Sequence, residues 1–196
     1  MQRLLFILLL VFVNTNLVAQ EKPEGLFINS KAPDFKATDQ YGNDFRLKDA
    51  LKDSIVVLVF YRGQWCPYCN RQLKKLEDSL QLILDKGARL IAITPEKNEY
   101  ILKTVEKTNA SYPILYDKDS KIMKAYGVAF EVDDRTVSRY KNADIDLAAA
   151  SGQKDKILLP VPAVYIISKE GSILYRFFDI DYKKRPPVKE ILENLK

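Results

Sequence analysis

The sequence predicts one α/β domain built on a mixed central sheet flanked by helices. Ile55 to Phe60 is an unbroken apolar run rich in β-branched side chains, which is typical of a strand buried on both faces. A helical pattern follows this run directly, and strand and helix patterns alternate after it. The 196 residues suffice for a single ordinary domain with its own core.

A short β-hairpin is predicted before the central strand. Phe35 to Thr38 and Asp44 to Leu47 have strand patterns, and the turn-forming sequence Gln40-Tyr41-Gly42-Asn43 lies between them. The domain should therefore begin with an N-terminal hairpin.

A helix is predicted directly after the central strand. Apolar side chains recur at spacings of three and four, and Gly87 ends the pattern; they are Cys69, Leu73, Leu76, Leu80 and Ile83. The next elements alternate as strand, helix, strand and helix over Arg89 to Thr94, Asn98 to Thr108, Ile114 to Tyr116 and Lys121 to Tyr126.

The last third of the chain contains an insertion and a strand pair. Glu131 to Lys156 is polar and is predicted to be a helical insertion with loops. Val164 to Ile167 and Ser172 to Phe177 are predicted to pair around a turn at Lys169-Glu170-Gly171. A final helix is expected over Pro187 to Leu195.

The first twenty residues have the pattern of a secretory signal peptide. Arg3 supplies a positive charge, Leu4 to Val13 is apolar, and Leu17-Val18-Ala19-Gln20 provides a small-residue cleavage site. The apolar run is shorter than the about 20 residues that span a bilayer, and an uncleaved anchor is the alternative. We expect a domain over residues 25–196 that is exported, to a bacterial periplasm, with no membrane association after cleavage.

The composition excludes several classes of function. The chain has no histidine, which excludes a Ser-His-Asp triad, a Cys-His pair and any His-ligated metal site. Its net charge of +5 is spread over basic residues that often lie beside acids, which indicates a solvated surface and no nucleic-acid partner.

The only two cysteines lie where the central strand gives way to the helix, in Trp65-Cys66-Pro67-Tyr68-Cys69. Because proline is favoured in a first helical turn, the helix should begin at about Cys66 or Pro67. Cys66 then lies at the positive end of the helix dipole, which lowers a thiol pKa from ~8.5 towards neutrality. Cys69 lies one turn further, where we expect the more buried thiol with the higher pKa. The arrangement predicts a redox-active dithiol in which Cys66 attacks and Cys69 resolves.

Other interpretations of the cysteine pair stay open. A structural disulfide across two residues would add little loop-closure entropy. A zinc site needs about four ligands, and the chain has no further Cys or His to complete one, whereas a two-thiolate copper(I) site is conceivable. The last interpretation is two buried structural thiols.

Several residues near the dithiol are candidates for a substrate site. Pro162, in Leu159-Pro160-Val161-Pro162-Ala163, precedes a late strand, where thioredoxin folds place a cis-proline against the active-site dithiol; the alternative is an ordinary loop proline. Arg62 is a candidate for stabilising a thiolate, and Trp65, Pro67 and Tyr68 for lining the site. The acids Asp34, Asp44 and Glu96 could assist proton transfer, but nothing singles them out, and we interpret each as a surface carboxylate.

The chain resembles the alkyl hydroperoxide reductase / thiol-specific antioxidant (AhpC/TSA) family, the peroxiredoxin-like proteins of the thioredoxin superfamily. The resemblance runs from about Gly25 to the C-terminus and is carried by Ala32-Pro33-Asp34-Phe35, Val59 to Cys69, Leu159 to Ala163, and Val164 to Ile167 with Gly171. It implies a thioredoxin-like fold with the hairpin at its start and the insertion before the Pro162 strand. It also implies a thiol-dependent peroxidase that needs no metal or organic cofactor and is recycled by a thioredoxin-like dithiol protein.

The sequence departs from that family at its active site. When the chain is aligned on Phe60-Tyr61, the family's Pro falls at Arg62, its Thr at Cys66, its peroxidatic Cys at Cys69 and its Arg near Pro162. The alignment therefore nominates Cys69 as the attacking thiol, whereas the position at the helix start nominates Cys66, which we adopt as the prediction.

We therefore predict a peroxidase that reduces hydrogen peroxide or organic hydroperoxides. Cys66 would become a sulfenic acid and condense with Cys69 to a disulfide. The alternative function is an exported thioredoxin-like protein thiol–disulfide oxidoreductase, which the CxxC and Pro162 favour. A binding protein with a structural disulfide is a third, non-enzymatic hypothesis. The sequence leaves the oligomeric state open.

Overall fold

The computed structural model describes residues 22–195, and the predicted signal peptide lies outside them. A five-stranded mixed sheet, in the order β5-β4-β3-β8-β9, forms the centre of the domain. The strands of the chain are β1 (Lys36–Thr38), β2 (Asp44–Arg46), β3 (Ile55–Phe60), β4 (Ala88–Thr94), β5 (Ile114–Tyr116), β6 (Ala129–Glu131), β7 (Leu158–Pro160), β8 (Ala163–Ile167) and β9 (Ile173–Phe178). The helices are α1 (Leu47–Ala50), α2 (Pro67–Asp78), α3 (Leu80–Asp85), α4 (Asn98–Thr108), α5 (Lys121–Ala125), α6 (Asp134–Lys141), α7 (Leu147–Ser151) and α8 (Val188–Glu193), with a 3₁₀ turn at Lys118–Ser120 before α5.

Strand β3 is the central strand, as its apolar run predicts. It pairs in parallel with β4, where Leu58 lies opposite Ile91, and antiparallel with β8, where Leu58 lies opposite Tyr165. Val56 to Phe60 are fully buried because helices or loops cover both faces of the sheet. The predicted α/β architecture with a mixed central sheet is confirmed.

Two apolar cores pack on the two faces of this sheet. One core contains both cysteines and the buried faces of α2, α4 and α8. The other contains the hairpin, α1 and α5, with an aromatic group formed by Phe35, Phe60, Tyr126 and Tyr165. The dithiol therefore belongs to one face, and the N-terminal hairpin stabilises the opposite face.

The long helix predicted after β3 is two helices. Ser79 has φ −115° and ψ 10°, and its N–H donates to Leu76 O in a 3₁₀-type bond, so α2 ends there and α3 begins at Leu80. The apolar stripe continues across the break, because Leu73, Leu76 and Ile83 all remain buried.

The insertion before β8 contains helices, as predicted, and it forms a small core of its own. The side chains of Asp133 and Asp146 cap α6 and α7 by accepting from Thr136 N at 2.9 Å and Ala149 N at 2.8 Å. Sequence patterns missed the short antiparallel pair β6–β7, which closes the two ends of the insertion. Three-residue strands carry too little periodicity to be recognised.

Residues 22–195 contain no helix that is long and apolar enough to cross a membrane.

Candidate active site

Cys66 and Cys69 lie at the start of α2, beyond the carboxyl end of β3. Cys66 is the N-cap residue and Pro67 the first helical residue, as the sequence predicts. The Cys66 N–H donates to Gly63 O at 3.1 Å, and the Cys66 carbonyl accepts from Asn70 N at 3.0 Å. Both cysteines are free thiols and both are fully buried, so neither is more exposed than the other.

Cys69 holds the more acidic thiol of the pair. Burial raises its pKa, but the hydrogen bond from the Cys66 thiol, the charge of Arg185 and the Arg62 backbone N–H outweigh burial and lower the pKa to about 6. The Arg185 guanidinium lies close enough to donate, with Nη2 at 3.3 Å from Cys69 Sγ. The Arg185 contact therefore favours the thiolate form of Cys69.

Cys66 is the less acidic thiol, which reverses the predicted order. It donates its proton to the Cys69 sulfur and is itself buried, and both effects raise its pKa despite the nearby charge of Arg62. The prediction that Cys66 has the lower pKa was wrong because it weighed only the helix terminus. Arg185, which lies 116 positions from Cys69 in the sequence, places its charge on the other sulfur.

Arg185 is held in position by its own loop. Its Nη1 donates to the carbonyl of Tyr182 and, at 2.6 Å, to that of Lys184. The loop precedes α8, whose Ile191 is buried in the same core as the cysteines. Sequence reasoning missed Arg185 because nothing in its neighbourhood indicates which residue it contacts.

Glu96 is a buried carboxyl beside the dithiol, which corrects its interpretation as a surface group. It is 2% exposed, and its Oε2 accepts from Gln64 N at 2.7 Å. Burial raises its pKa to about 8, with a further contribution from the negative charge of Cys69. Burial therefore favours the protonated form of Glu96.

The absence of a side chain at Gly63 permits Glu96 and Trp65 to pack closely against the loop that carries the cysteines. A Cβ at this position would lie 2.5 Å from Glu96 Oε1 and 2.5 Å from Trp65 Nε1. Neither of those two atoms has a hydrogen-bond partner among the described residues. Only glycine leaves room for the carboxyl and the indole to flank the loop that carries the cysteines.

The Arg62 side chain points into an aromatic group and away from Cys69. Its guanidinium carbon lies 4.8 Å from the ring centre of Trp65 and 4.5 Å from that of Tyr182, and its Nη2 donates to Tyr140 OH at 2.8 Å. The Trp65 and Tyr140 rings are 4.8 Å apart. Arg62 therefore reaches Cys69 through its backbone N–H, and its side chain fixes the loop against the insertion.

The remaining predicted residues lie around the start of α2. Pro67 is exposed, and Tyr68 is half-buried with its ring edge-on to Tyr182 at 5.9 Å. Pro162 is buried at the same edge of the sheet, because its neighbour Ala163 pairs with Phe60 at the end of β3. No group of three or more His, Cys, Asp or Glu within residues 22–195 is arranged to hold a metal ion.

The predicted cis bond at Pro162 was wrong, since the Val161–Pro162 peptide bond is trans. The trans isomer is favoured for X–Pro bonds by about 0.5–1 kcal/mol. Here the Val161 N–H donates to Val128 O at 2.8 Å, which extends the β6–β7 pairing up to the proline. The chain thus enters β8 along an extended path.

The chain matches one protein family, and the proteins similar to it include thiol-disulfide oxidoreductases and a peroxiredoxin. The AhpC/TSA family matches residues 28–176. The thiol-disulfide oxidoreductase ResA of Bacillus thuringiensis subsp. konkukian is 25% identical over 154 residues, which are 78% of this chain and 70% of the relative. Peroxiredoxin Bcp of Bacillus subtilis is 30% identical over 101 residues, which are 52% of this chain and 64% of the relative.

Among solved structures, peroxidoxin BcpB from Mycobacterium tuberculosis has a similar fold. The two superpose with a TM-score of 0.65 at 20% identity, over 86% of this chain and 95% of that one. The likeness confirms the thioredoxin-like fold of the domain.

Proposed function

The chain belongs to the AhpC/TSA family, and from that premise we propose that it is a thiol peroxidase in which Cys69 attacks the peroxide and Cys66 resolves the product. Its family and fold make it a thioredoxin-fold oxidoreductase. The specific reaction and the roles of the residues are the proposal.

The contact between Arg185 and Cys69 carries this proposal. A thiolate is the nucleophile in peroxide reduction, and Arg185 Nη2 lies 3.3 Å from Cys69 Sγ, where a positive charge favours that thiolate. The family resemblance, lined up on Phe60-Tyr61, also supports Cys69 as the attacking cysteine. The charge of Arg185 and the family resemblance thus both support Cys69 as the attacking sulfur. We therefore exchange the roles that the sequence predicts for the two cysteines.

The first step oxidises Cys69. Its thiolate forms a bond to one peroxide oxygen as the O–O bond breaks, giving a sulfenic acid and an alkoxide or hydroxide. Arg185 and the Arg62 N–H, which both act on Cys69, would also stabilise the charge of the anionic leaving oxygen. Glu96, whose protonated form is favoured by burial, is the buried acid in the same site.

The second step uses Cys66. Its sulfur attacks the Cys69 sulfenic sulfur, the S–O bond breaks, and the Cys66 proton leaves with the hydroxide as water. The two thiols influence each other's acidity, and both lie in the same buried core at the start of α2. Two electrons from a thiol reductant, which we expect to be a thioredoxin-like dithiol protein, then restore both thiols. Arg62, Trp65, Pro67, Tyr68 and Pro162 are the proposed lining of the site.

A second candidate is protein thiol–disulfide exchange. The CxxC spacing and the similarity to ResA favour it, because a low-pKa thiolate is also a good leaving group in disulfide exchange. In that reaction the same dithiol would exchange electrons with cysteines of other proteins and no peroxide would be consumed.

Stopped-flow fluorescence distinguishes the two candidates. The reduced protein is mixed with hydrogen peroxide or cumene hydroperoxide, and the fluorescence of Trp65, the only tryptophan, reports oxidation. Cys66→Ser and Cys69→Ser are the matched variants. We expect oxidation far faster than that of free cysteine at the same pH, lost in Cys69→Ser and retained in Cys66→Ser as a sulfenic acid that dimedone traps.

Other outcomes have distinct meanings. A wild-type rate equal to that of free cysteine would contradict the peroxidase and leave disulfide exchange as the better account. Loss of the reaction in Cys66→Ser, with retention in Cys69→Ser, would show that the roles of the cysteines are the reverse of those proposed.

We further propose that the protein works outside the cytosol, in a bacterial periplasm, because residues 1–20 have the pattern of a cleaved signal peptide. Mass measurement of the mature N-terminus after expression in a bacterium with an outer membrane tests this. Cleavage just after Ala19 or Gln20 is expected, and an uncleaved N-terminus would contradict it.

A further inference from the structure

The Arg185 guanidinium beside Cys69 has no carboxylate partner. Its Nη2 lies 3.3 Å from Cys69 Sγ, and no ion pair within residues 22–195 includes Arg185. Its Nε also has no hydrogen-bond partner among the described residues. Pairing with an acid therefore does not explain why this side chain points at the sulfur.

The segment that carries Arg185 spans residues 179–187, between β9 and α8, and we call it the α8 loop. Internal contacts shape this loop. The Asp179 carboxylate accepts from Asp181 N at 2.8 Å and pairs with Lys184 at 2.9 Å. These contacts fold the loop on itself and do not attach it to the region of the cysteines.

Tyr182 attaches the α8 loop to the start of α2. Its ring centre lies 4.5 Å from the guanidinium carbon of Arg62 and 5.9 Å from the ring centre of Tyr68, which it meets edge-on. Its carbonyl oxygen accepts a hydrogen bond from Arg185 Nη1. The side chain of Tyr182 is thus joined to the region of the cysteines, and its main chain is joined to Arg185.

Arg62 is a fixed support for that ring. It is 5% exposed, its Nη2 donates to Tyr140 OH at 2.8 Å, and its guanidinium carbon lies 4.8 Å from the ring centre of Trp65. No carboxylate within residues 22–195 pairs with it. A buried charge needs compensating partners, and the ring faces of Trp65 and Tyr182 serve as such partners. The position of the Tyr182 ring is therefore favoured by the cation that it covers.

The exposure of Tyr182 indicates that the ring is not needed for the core. It is 39% exposed, so it buries less apolar surface than a core side chain does. Its contacts with Arg62 and Tyr68 therefore matter more for the position of the α8 loop than for the stability of the domain.

We propose that Tyr182 is a positioning residue that keeps the Arg185 guanidinium at the Cys69 sulfur. Arg62 and Tyr68 hold its ring, and its carbonyl holds Arg185. The inference rests on the proposed function, because it names residues that assist the attacking thiolate. Tyr182 contacts no reacting atom and acts through Arg185, and the Arg62 side chain acts through Tyr182.

The test measures the pKa of the Cys69 thiol without any peroxide. In a Cys66→Ser background, absorbance at 240 nm follows the thiolate from pH 4 to 8.5, below the ionisation of tyrosine at about 10. Alkylation by iodoacetamide at pH 7 reports the reactivity of the same thiol.

The variants remove the ring, its support or the charge. They are Tyr182→Leu, Tyr182→Phe, Arg62→Lys and Arg185→Met, together with Tyr182→Leu combined with Arg185→Met. Arg62→Lys keeps a positive charge and removes the planar guanidinium from the ring. Tyr41→Leu, at the exposed hairpin turn, is the control for loss of a surface tyrosine.

Other ionisable groups near the dithiol stay in place when Tyr182 or Arg185 is changed. They are Glu96 after β4, Tyr61 after β3 and Arg62, with Lys103 and Lys107 of α4 acting on Glu96. Because these groups are the same, a difference in pKa among the Tyr182 and Arg185 variants reports the position of the Arg185 charge.

We expect Tyr182→Leu to raise the pKa of Cys69, as Arg185→Met does, and to slow alkylation at pH 7 by about fivefold. Arg62→Lys should also raise the pKa. Tyr182→Phe should retain the values of the parent protein, because the contacts use the ring and the carbonyl and not the hydroxyl. In the double variant the pKa should equal that of Arg185→Met alone, since the ring acts only through Arg185. Tyr41→Leu should change neither value.

An unchanged pKa in Tyr182→Leu would overturn the inference, and the proposed function would stand if Arg185→Met still raised the pKa. An equal rise in Tyr182→Phe would also overturn it, because that variant keeps the ring. A pKa in the double variant above that of Arg185→Met alone would overturn it by showing that Tyr182 acts through general packing of the site. Failure of the peroxidase alone would leave these pKa values unaffected, because no peroxide takes part.

Discussion

Gln40 and Gln72 are two buried glutamines whose surroundings differ completely. Gln40, between the hairpin strands, is 5% exposed, and its amide donates to Tyr112 O at 3.3 Å and accepts from Ile114 N at 2.8 Å. Gln72, on α2 near the dithiol, is 6% exposed and has no partner among residues 22–195. The first ties the hairpin to β5, whereas the amide of the second is buried without a partner.

Two buried carboxyls repeat this contrast. Asp117 accepts from the N–H groups of Ile122 at 2.9 Å and Met123 at 2.8 Å, which begin α5. Glu96, beside the dithiol, accepts one hydrogen bond at Oε2, and its Oε1 has no partner among the described residues. The buried polar groups of Gln40 and Asp117 therefore have hydrogen-bond partners. Those of Gln72 and Glu96, near the dithiol, have atoms without a partner among the described residues.

The largest expected effect is a difference in the free energy of unfolding between variants of the two glutamines. Gln40→Leu should lower the free energy of unfolding by about 2–4 kcal/mol, because it leaves a buried N–H and a buried C=O unpaired. Gln72→Leu should stay within about 0.5 kcal/mol of wild type or be more stable, since it removes an amide that has no partner. Urea unfolding of the reduced protein measures both. Equal losses would show that Gln72 has a structural role and would break the comparison.

The next effect is on the pH dependence of protein stability in variants of the two carboxyls. Burial raises the pKa of Glu96 to about 8, whereas an unfolded Glu ionises near ~4.3. Between these values the unfolded chain releases a proton that the folded protein keeps, so wild-type stability falls as pH rises. Glu96→Gln avoids this loss, so its stability advantage over wild type should grow as the pH rises from 4 to 8, with no gain below pH 4.

Asp117→Asn is the matched control. The pKa of Asp117 is also raised by burial, to about 6, but both carboxylate oxygens accept backbone hydrogen bonds. An amide NH₂ in place of one oxygen would face an N–H donor, so this variant should be less stable than wild type at pH 7. Urea unfolding from pH 4 to 8 measures both variants, and a gain for Asp117→Asn would contradict the distinction.

The smallest of the three effects is on the acidity of Cys69. In a Cys66→Ser background, Arg185→Met should raise the pKa of the Cys69 thiol and lower the peroxide rate at pH 7 by about tenfold. Absorbance at 240 nm follows the thiolate. Lys184→Met removes the same charge from an exposed neighbour and should change neither value. An unchanged titration in Arg185→Met would remove the charge argument for Cys69 as the attacking thiol.

The sequence predicts much of the scaffold because the scaffold depends on local patterns. The apolar run at Ile55 to Phe60, the hairpin turn near Gly42 and the proline after Cys66 each specify a conformation over a few residues. The structure therefore agrees with the predicted central strand, hairpin and helix start. The break at Ser79 is missed because the apolar stripe continues through it.

The chemistry of the site depends on contacts that sequence patterns do not encode. Arg185 reaches Cys69 across 116 positions, and Glu96 becomes buried only when β4, the Gly63 loop and Trp65 pack together. The acidity of a thiol responds to such neighbours more strongly than to its place in a helix. For this reason the motif predicts the dithiol, and only the tertiary structure distinguishes its two sulfurs.

The docking of Arg185 also has a consequence for the order of events during maturation. Cys69 gains its cationic neighbour only when the segment before α8 has settled against α2, because Arg185 lies 116 positions away from it in the sequence. The charge that favours a Cys69 thiolate therefore arises with the tertiary fold and not with the local CxxC segment. A variant in which this segment does not pack against α2 should keep both cysteines and lose this activation of Cys69.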